Sequence, residues 1–253
     1  MNTLNLAQGD NRVAMHARRL RKYGSGALLL IGMLGAGNVM AQTSPEEYHL
    51  TLDRIPFGQS PAGWVAAATN PSGPLAQWSV SAGELSPGHA RKVLTIARIH
   101  DASTSVFNLF WTRQVVFQDG ELEVRMRANT GREDQGGGLI WRVINENNYY
   151  VARYNPLESN FRLYYVKAGS RTTLASREHL ASAPGQWVTL RVTHRAQRIQ
   201  GWFNNALAWE ISDTQFPKAG GVGLWSKADA ASSFADFRVS SGSLKDREPL
   251  RNE

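Results

Sequence analysis

Cysteine is absent from the 253 residues. That excludes a disulfide framework, a thiolate metal centre, a cysteine nucleophile and a lipid-modified N-terminal cysteine. Long apolar runs are also missing. The stretch at 27–34 is too short and too interrupted by glycine to cross a bilayer. Helical periodicity is missing beyond residue 62, and so is any internal repeat of fixed period. Beyond residue 41 there is no run of Lys and Arg. Removing residues 1–41 takes away Arg12, Arg18, Arg19, Arg21 and Lys22 against only Asp10, so most of the formal charge of +7 belongs to that segment. The remainder lacks the basic footprint that nucleic-acid binding requires.

What is present is a large aromatic complement: 8 Trp, 7 Tyr and 9 Phe. These side chains supply a real core, which rules out a low-complexity or collagen-like chain. The first 41 residues have the order of an export signal. Arg18, Arg19, Arg21 and Lys22 form the basic region, 27–34 the apolar region, and Val39-Met40-Ala41 the small-residue cleavage site. Met15 as the start gives this signal a normal length; Met1 makes it long. The expected organisation is a signal peptide at 1–41, a lead-in at 42–62, one domain at 63–241 and a charged tail at 242–253. The expected location is periplasmic or extracellular, with no membrane span in the mature chain.

Short alternating or apolar runs punctuated by Gly, Asn, Asp and Pro predict strands. They fall at 76–81, 91–99, 105–111, 121–128, 138–145, 148–154, 161–167, 187–194, 198–204, 206–211, 221–227 and 234–240, with one more near 48–53. In Glu121-Leu122-Glu123-Val124-Arg125-Met126-Arg127 the apolar residues face one way and the charges the other. Val188, Leu190 and Val192 alternate with Thr189, Arg191 and Thr193. Ala235, Phe237 and Val239 are expected to oppose Phe234, Asp236 and Arg238. Such strands have one face for packing and one for water. The expected fold is all-β: a two-sheet antiparallel jelly-roll sandwich.

Two blocks sharpen this. Gly185-Gln186-Trp187-Val188-Thr189-Leu190-Arg191-Val192 followed by Gly201-Trp202-Phe203-Asn204-Asn205 resembles the hairpins of concanavalin A-like lectin/glucanase jelly rolls, notably laminin-G-like members. Gly220-Gly221-Val222-Gly223-Leu224-Trp225 and Phe234-Ala235-Asp236-Phe237-Arg238-Val239 resemble their closing strands. Further blocks are Asp134-Gln135-Gly136-Gly137-Gly138-Leu139-Ile140-Trp141-Arg142, Asn148-Tyr149-Tyr150, Arg153-Tyr154-Asn155-Pro156-Leu157-Glu158-Ser159-Asn160 and Leu224-Trp225-Ser226-Lys227-Ala228-Asp229. These are most similar to bacterial exported domains classed with 3-keto-disaccharide hydrolases. The resemblance spans roughly residues 60–240 and implies the jelly roll. It leaves the activity open, because lectins, lyases, hydrolases and adhesion modules share that fold.

Strand parity then nominates a surface. Ile140 and Arg142 share a face; so do Tyr149, Val151 and Arg153, then Arg162 and Tyr164, then Gly223, Trp225 and Lys227. An aromatic plane suits a sugar ring and guanidinium forks suit hydroxyls or carboxylates. Arg142, Tyr149, Arg153, Arg162, Tyr164, Trp225 and Lys227, with Asn155 and Asn160 from the adjoining loop, are therefore the candidate ligand residues on a concave face. The alternative is an ordinary solvated face. Glu158 is the acid inside a family-like block and the candidate catalytic residue, against the alternative that it pairs with Arg153 or Arg162. No E-x-D-x-x-E strand of family 16 glycoside hydrolases occurs, and the histidines show no metal spacing. No cofactor is expected, although the resemblance makes Glu133, Asp134 and Asp229 candidates for a structural Ca²⁺. Three functions remain open: an exported carbohydrate-binding domain for a sugar or similar polyhydroxylated ligand, a hydrolase or lyase acting on a (3-keto-)disaccharide, and a protein-interaction module.

Overall fold

The structure is a computed structural model that describes residues 46–100, 103–183 and 185–241. The expected signal peptide at 1–41 and the tail at 242–253 lie outside the described residues.

Fifteen strands and no helix occur among the described residues. In chain order they are β1 (Glu46–His49), β2 (Trp64–Thr69), β3 (Gln77–Glu84), β4 (Ala90–Arg98), β5 (Phe107–Phe117), β6 (Gly120–Thr130), β7 (Gly137–Asn145), β8 (Asn148–Asn155), β9 (Asn160–Lys167), β10 (Ser170–Arg177), β11 (Trp187–Arg195), β12 (Arg198–Phe203), β13 (Ala206–Ser212), β14 (Gly220–Lys227) and β15 (Ala231–Ser241). They build two sheets. An eight-stranded sheet runs β13-β12-β11-β6-β15-β4-β3, with β1 added to β15; a seven-stranded sheet runs β10-β9-β8-β7-β14-β5-β2. Every pairing is antiparallel. This is the expected jelly-roll sandwich. Two strands escaped the sequence reading, β2 and β10. β1 also begins earlier and is shorter than the strand expected at 48–53, and it ties part of the expected lead-in to the eight-stranded sheet.

Between the sheets lies the main core. Leu122, Val124 and Met126 of β6 and Val188, Leu190 and Val192 of β11 meet Leu139, Trp141, Tyr150, Ala152, Tyr154, Phe161, Leu163, Val222 and Leu224 of the seven-stranded sheet. Trp141 Nε1 donates to His194 Nδ1 at 3.0 Å inside this core. Burial, and then the charge of Arg142, hold the His194 ring's pKa down to about 3.

Bulges correct two of the parity assignments. In β15 the register with β6 shifts between Ala235 and Arg238, and Asp236 has φ +53. The shift puts Phe234 on the core side with Phe237 and Val239, and moves Ala235 to a small outer cluster with Leu85 and Val93. One inserted residue reverses the alternation beyond it. The second bulge, in β7, bears on the candidate site.

The seven-stranded sheet is apolar on both faces. On the side away from the main core, Phe107, Leu109, Ile140, Val143, Tyr149, Val151, Tyr164, Val166 and Trp225 form a second buried cluster. The sheet curls over this face and ties its own corners together. The Thr69 hydroxyl, at the end of β2, donates to Glu146 O at 2.5 Å and lies 2.8 Å from the Tyr149 hydroxyl. Asn70 Nδ2 donates to Gly169 O at 3.0 Å in the β9–β10 turn. Asn70 has φ +53, which Asn tolerates better than most side chains. Strand twist accumulated over seven strands brings diagonal corners of a sheet toward each other, and these bonds hold them.

Candidate functional site

The strand registers place the candidate residues in rows across the curled face. One row reads Arg162, Arg153, Gly138, Trp225, Leu109 and Ala67. The next, toward the middle of the cluster, reads Tyr164, Val151, Ile140, Gly223 and Trp111. Beyond the first row, Asn155 pairs with Asn160 and Lys227 with Phe107. The polar candidates other than Arg142 therefore gather at one end of the face, where β8 turns into β9 and β14 ends. The aromatic ones form its filled interior.

Arg153 is the centre of the polar end and is 1% exposed. Its Nη2 donates to Glu158 Oε1 at 2.5 Å and lies 3.5 Å from Asp134 Oδ2; its Nη1 donates to the Tyr164 hydroxyl at 3.2 Å. Burial opposes the Arg153 charge, and the Glu158 hydrogen bond with the Asp134 charge outweighs it, so the pKa is raised overall. Glu158 is 41% exposed and grips a second guanidinium, Arg162 Nη1, at 2.9 Å. Asn155 and Asn160 each donate an amide hydrogen to Glu158, at 3.2 and 3.1 Å. Partial burial raises the Glu158 pKa, but Arg153, Asn160 and Arg162 lower it further, to about 2. At neutral pH Glu158 is a held carboxylate and has no proton to give. Its pairing with both arginines is the alternative weighed from sequence.

Asp134 sits underneath, also 1% exposed. Its Oδ1 accepts from Gly136 N at 2.5 Å and from Asn155 Nδ2 at 3.2 Å. Its Oδ2 lies 3.4 Å from Lys227 Nζ and has no hydrogen-bond partner among the described residues. Gly136 has a local reason: a Cβ there would come within 2.6 Å of both Arg153 Nε and Asp134 Oδ1. A side chain at 136 would push the pair apart.

Arg142 does not join this group. Its φ is +47, and the β7–β8 register shifts between Trp141 and Asn145. The bulge returns Val143 to the face of Ile140 and turns Arg142 toward the chain segments beyond the strand's end. There it is buried and donates to Gln118 O at 2.9 Å, Phe216 O at 2.7 Å and Asp119 Oδ1 at 3.2 Å. With a further bond from Nη2 to Ala196 O at 3.4 Å, it clamps three segments of chain.

Trp225 and Tyr149 are likewise not open surfaces. Both are 0% exposed. The Trp225 ring lies 5.3 Å from Phe107, and its Nε1 donates to the Tyr149 hydroxyl at 3.3 Å. Burial drives the Tyr149 pKa upward, so it stays a neutral phenol. The aromatic of this face that does keep some exposure is Trp111, whose ring lies over Gly221.

Arg171 was missed because β10 was missed. That strand is mostly exposed, with no apolar alternation to mark it. Its guanidinium stands 4.4 Å from the Tyr164 ring centroid, 5.1 Å from Phe107 and 6.0 Å from Trp225. From the sequence, Asp134 is a candidate cation ligand and nothing marks it as a partner of Arg153. Its place beside Arg153 depends on the 131–134 loop, which Asp229 organises by accepting from Arg132 N, Glu133 N and Asp134 N at 2.6, 3.1 and 3.0 Å. The Asp229 oxygens face those N–H groups, the Asp134 oxygens face Gly136 N, Asn155 and the Arg153 and Lys227 charges, and among the described residues no group of three acidic or histidine side chains is placed to hold a metal ion.

A family model for the 3-keto-alpha-glucoside-1,2-lyase-like domain matches residues 54–240. The chain belongs to this family. Among solved structures it is similar to the carbohydrate binding module CBM66 from Bacillus subtilis, with 16% identity, 73% of this chain and 100% of that one covered, and a TM-score of 0.53. It also resembles domain 4 of AbnA, a GH43 extracellular arabinanase from Geobacillus stearothermophilus, in complex with arabinotriose (9% identity, 72% and 84% covered, TM-score 0.49). A third is the Bacillus licheniformis beta-glucanase (12% identity, 80% and 100% covered, TM-score 0.48). No curated protein sequence matches the chain. At 16% identity the likeness to the Bacillus subtilis module shows the jelly-roll fold alone. No described helix is long and apolar enough to cross a membrane.

Proposed function

We propose that this chain is an exported domain that binds a glycoside at the polar end of the curled sheet. The ligand would meet Glu158, Arg162 and Lys227, with Arg153, Asn155, Asn160 and Asp134 buried behind them and holding them in place. The observation that carries this reading is the half-exposed Glu158 held between buried Arg153 and partly exposed Arg162. It offers fixed acceptors beside fixed donors, which is what vicinal hydroxyls require. Family membership supports a sugar, and so does the carbohydrate-binding description of the Bacillus subtilis module. Trp225 and Arg142 leave the proposed contact set, because one is interior and the other clamps the backbone elsewhere. The export part rests on the order of residues 18–41, and N-terminal sequencing of exported material beginning at Gln42 tests it.

Titration calorimetry with neutral gluco-oligosaccharides tests the binding part. Arg162→Ala should weaken binding by about 1–2 kcal/mol with the fold intact. Unchanged affinity in Arg162→Ala, with Glu158→Ala also unchanged, removes the site from this end of the sheet.

Family membership favours a second reading, a lyase. A 1,2-elimination on a 3-keto glucoside takes the proton from C2 and breaks the C1–O bond, the departing oxygen leaving with a proton. Glu158 is poorly suited to that proton transfer, since its carboxylate is strongly stabilised. Asp134 is the other carboxylate at this end, its Oδ2 buried, without a hydrogen bond and 3.4 Å from Lys227 Nζ. Turnover of a 3-keto-α-glucoside that disappears in Asp134→Asn and survives in Glu158→Gln supports the lyase; no turnover by the parent chain removes it.

A further inference from the structure

We propose that the ligand carries a carboxylate and that Arg171 is the residue that receives it. This rests on the glycoside-binding reading and specifies its ligand as an acidic sugar. Arg171 lies against the rings of Tyr164, Phe107 and Trp225, and among the described residues no carboxylate oxygen comes within 4.0 Å of it to form an ion pair. Its Nη1 is buried and has no hydrogen-bond partner. Burial, together with the repulsion from Arg153, lowers its pKa. A buried guanidinium nitrogen without an acceptor is costly, and arginines in such places are ordinarily paired.

The surroundings extend the argument. Arg153 Nε is also buried without a partner. Arg153, Arg162, Arg171 and Lys227 converge on this end of the face. The carboxylates there, Asp134 and Glu158, are spent on Arg153, Arg162 and Lys227. Gly138 stands between Trp225 and Arg153 in the same row. A planar carboxylate matches a guanidinium fork in shape and charge, and rings flanking the fork fix its plane. The polar end would hold the hydroxyls of the same sugar while Arg171 takes its acid.

The test compares a neutral gluco-disaccharide with its glucuronic acid counterpart and its 6-sulfate, each titrated into the full chain at low and high salt. The uronide should bind at least about ten-fold more tightly than the neutral sugar at low salt, and the gap should narrow as salt screens it. Arg171→Gln should abolish the gap and leave neutral-sugar affinity within about two-fold, while Arg171→Met should raise the melting temperature by relieving an unpaired charge. Equal affinity for neutral and acidic sugars overturns the proposal and leaves glycoside binding standing. A sulfate preference over the uronide overturns the carboxylate assignment. Equal loss of both affinities in Arg171→Gln, with a lowered melting temperature in Arg171→Met, makes Arg171 a structural wall. Failure of the parent chain to bind any of the three sugars overturns both readings.

Discussion

Glu158 Oε1 accepts from Arg153 Nη2 at 2.5 Å across the turn that joins β8 to β9. This contact makes the domain acid-sensitive. The Glu158 pKa falls from 4.5 to about 2 on folding, because the stabilisation by Arg153 and Asn160 exceeds the cost of burial. The His194 pKa falls from 6.5 to about 3, through burial and then Arg142. Both groups bind protons more readily in the unfolded chain, so their contributions are complete above the unfolded values and drain away as pH falls. Urea titrations should show stability declining from pH 6.5 toward 3 through His194, and from 4.5 toward 2 through Glu158. His194→Gln should flatten the upper part of that profile and Glu158→Gln the lower part. A profile unchanged by either substitution contradicts the assignment.

Trp225 should act as a core residue. Trp225→Ala should cost about 3–5 kcal/mol in chemical denaturation, as expected for a large buried ring. Trp225→Phe should recover much of that. Quenching of Trp225 fluorescence by a bound sugar is not expected, since the ring has no exposed surface.

Arg142 should matter to stability and not to ligand. Arg142→Met strips donors from Gln118 O and Phe216 O, and the loss should be on the order of 3 kcal/mol. Calorimetry on the folded fraction should return the parent's sugar affinity. A selective loss of binding at full stability would return Arg142 to the ligand surface.

Opposite faces of β11 give a paired test. Leu190 is fully buried between the sheets, whereas Thr189 is partly exposed opposite Arg125. Leu190→Asp should cost more than about 4 kcal/mol, and Thr189→Asp less than about 1. Thermal melts of the two variants should differ accordingly.

The corner bond at Thr69 should hold the curl closed. Thr69→Val keeps the shape and removes the hydroxyl that meets Glu146 O and the Tyr149 hydroxyl; the expected cost is about 1–3 kcal/mol. Hydrogen exchange should accelerate first at the β7–β8 turn. Uniform acceleration across the domain means the corner has no separate role.

Much of the architecture was legible because period-two alternation in β6 and β11 leaves only one arrangement that buries Leu122, Val124, Met126, Val188, Leu190 and Val192 together. β2 and β10 were not legible. β10 buries little, and Trp64-Val65-Ala66-Ala67-Ala68-Thr69 does not alternate, because both faces of its sheet are apolar.

The polar end of the site shows the same division. Its residue types, Arg153, Asn155, Glu158, Asn160 and Arg162, stand close together in the chain and on adjoining strands, so local parity grouped them. Asp134, Lys227 and Arg171 come from distant strands, and only strand order puts them beside Arg153. Parity also failed at Arg142 and Phe234, where a single inserted residue reverses the faces. The sequence alone determined the class of fold and the inward face of each regular strand, since both depend on local alternation. The tertiary structure decided where bulges interrupt that alternation. It also decided that the curled sheet fills its own face with Trp225 and Tyr149, because curl and twist accumulate over seven strands and are not encoded in any one of them.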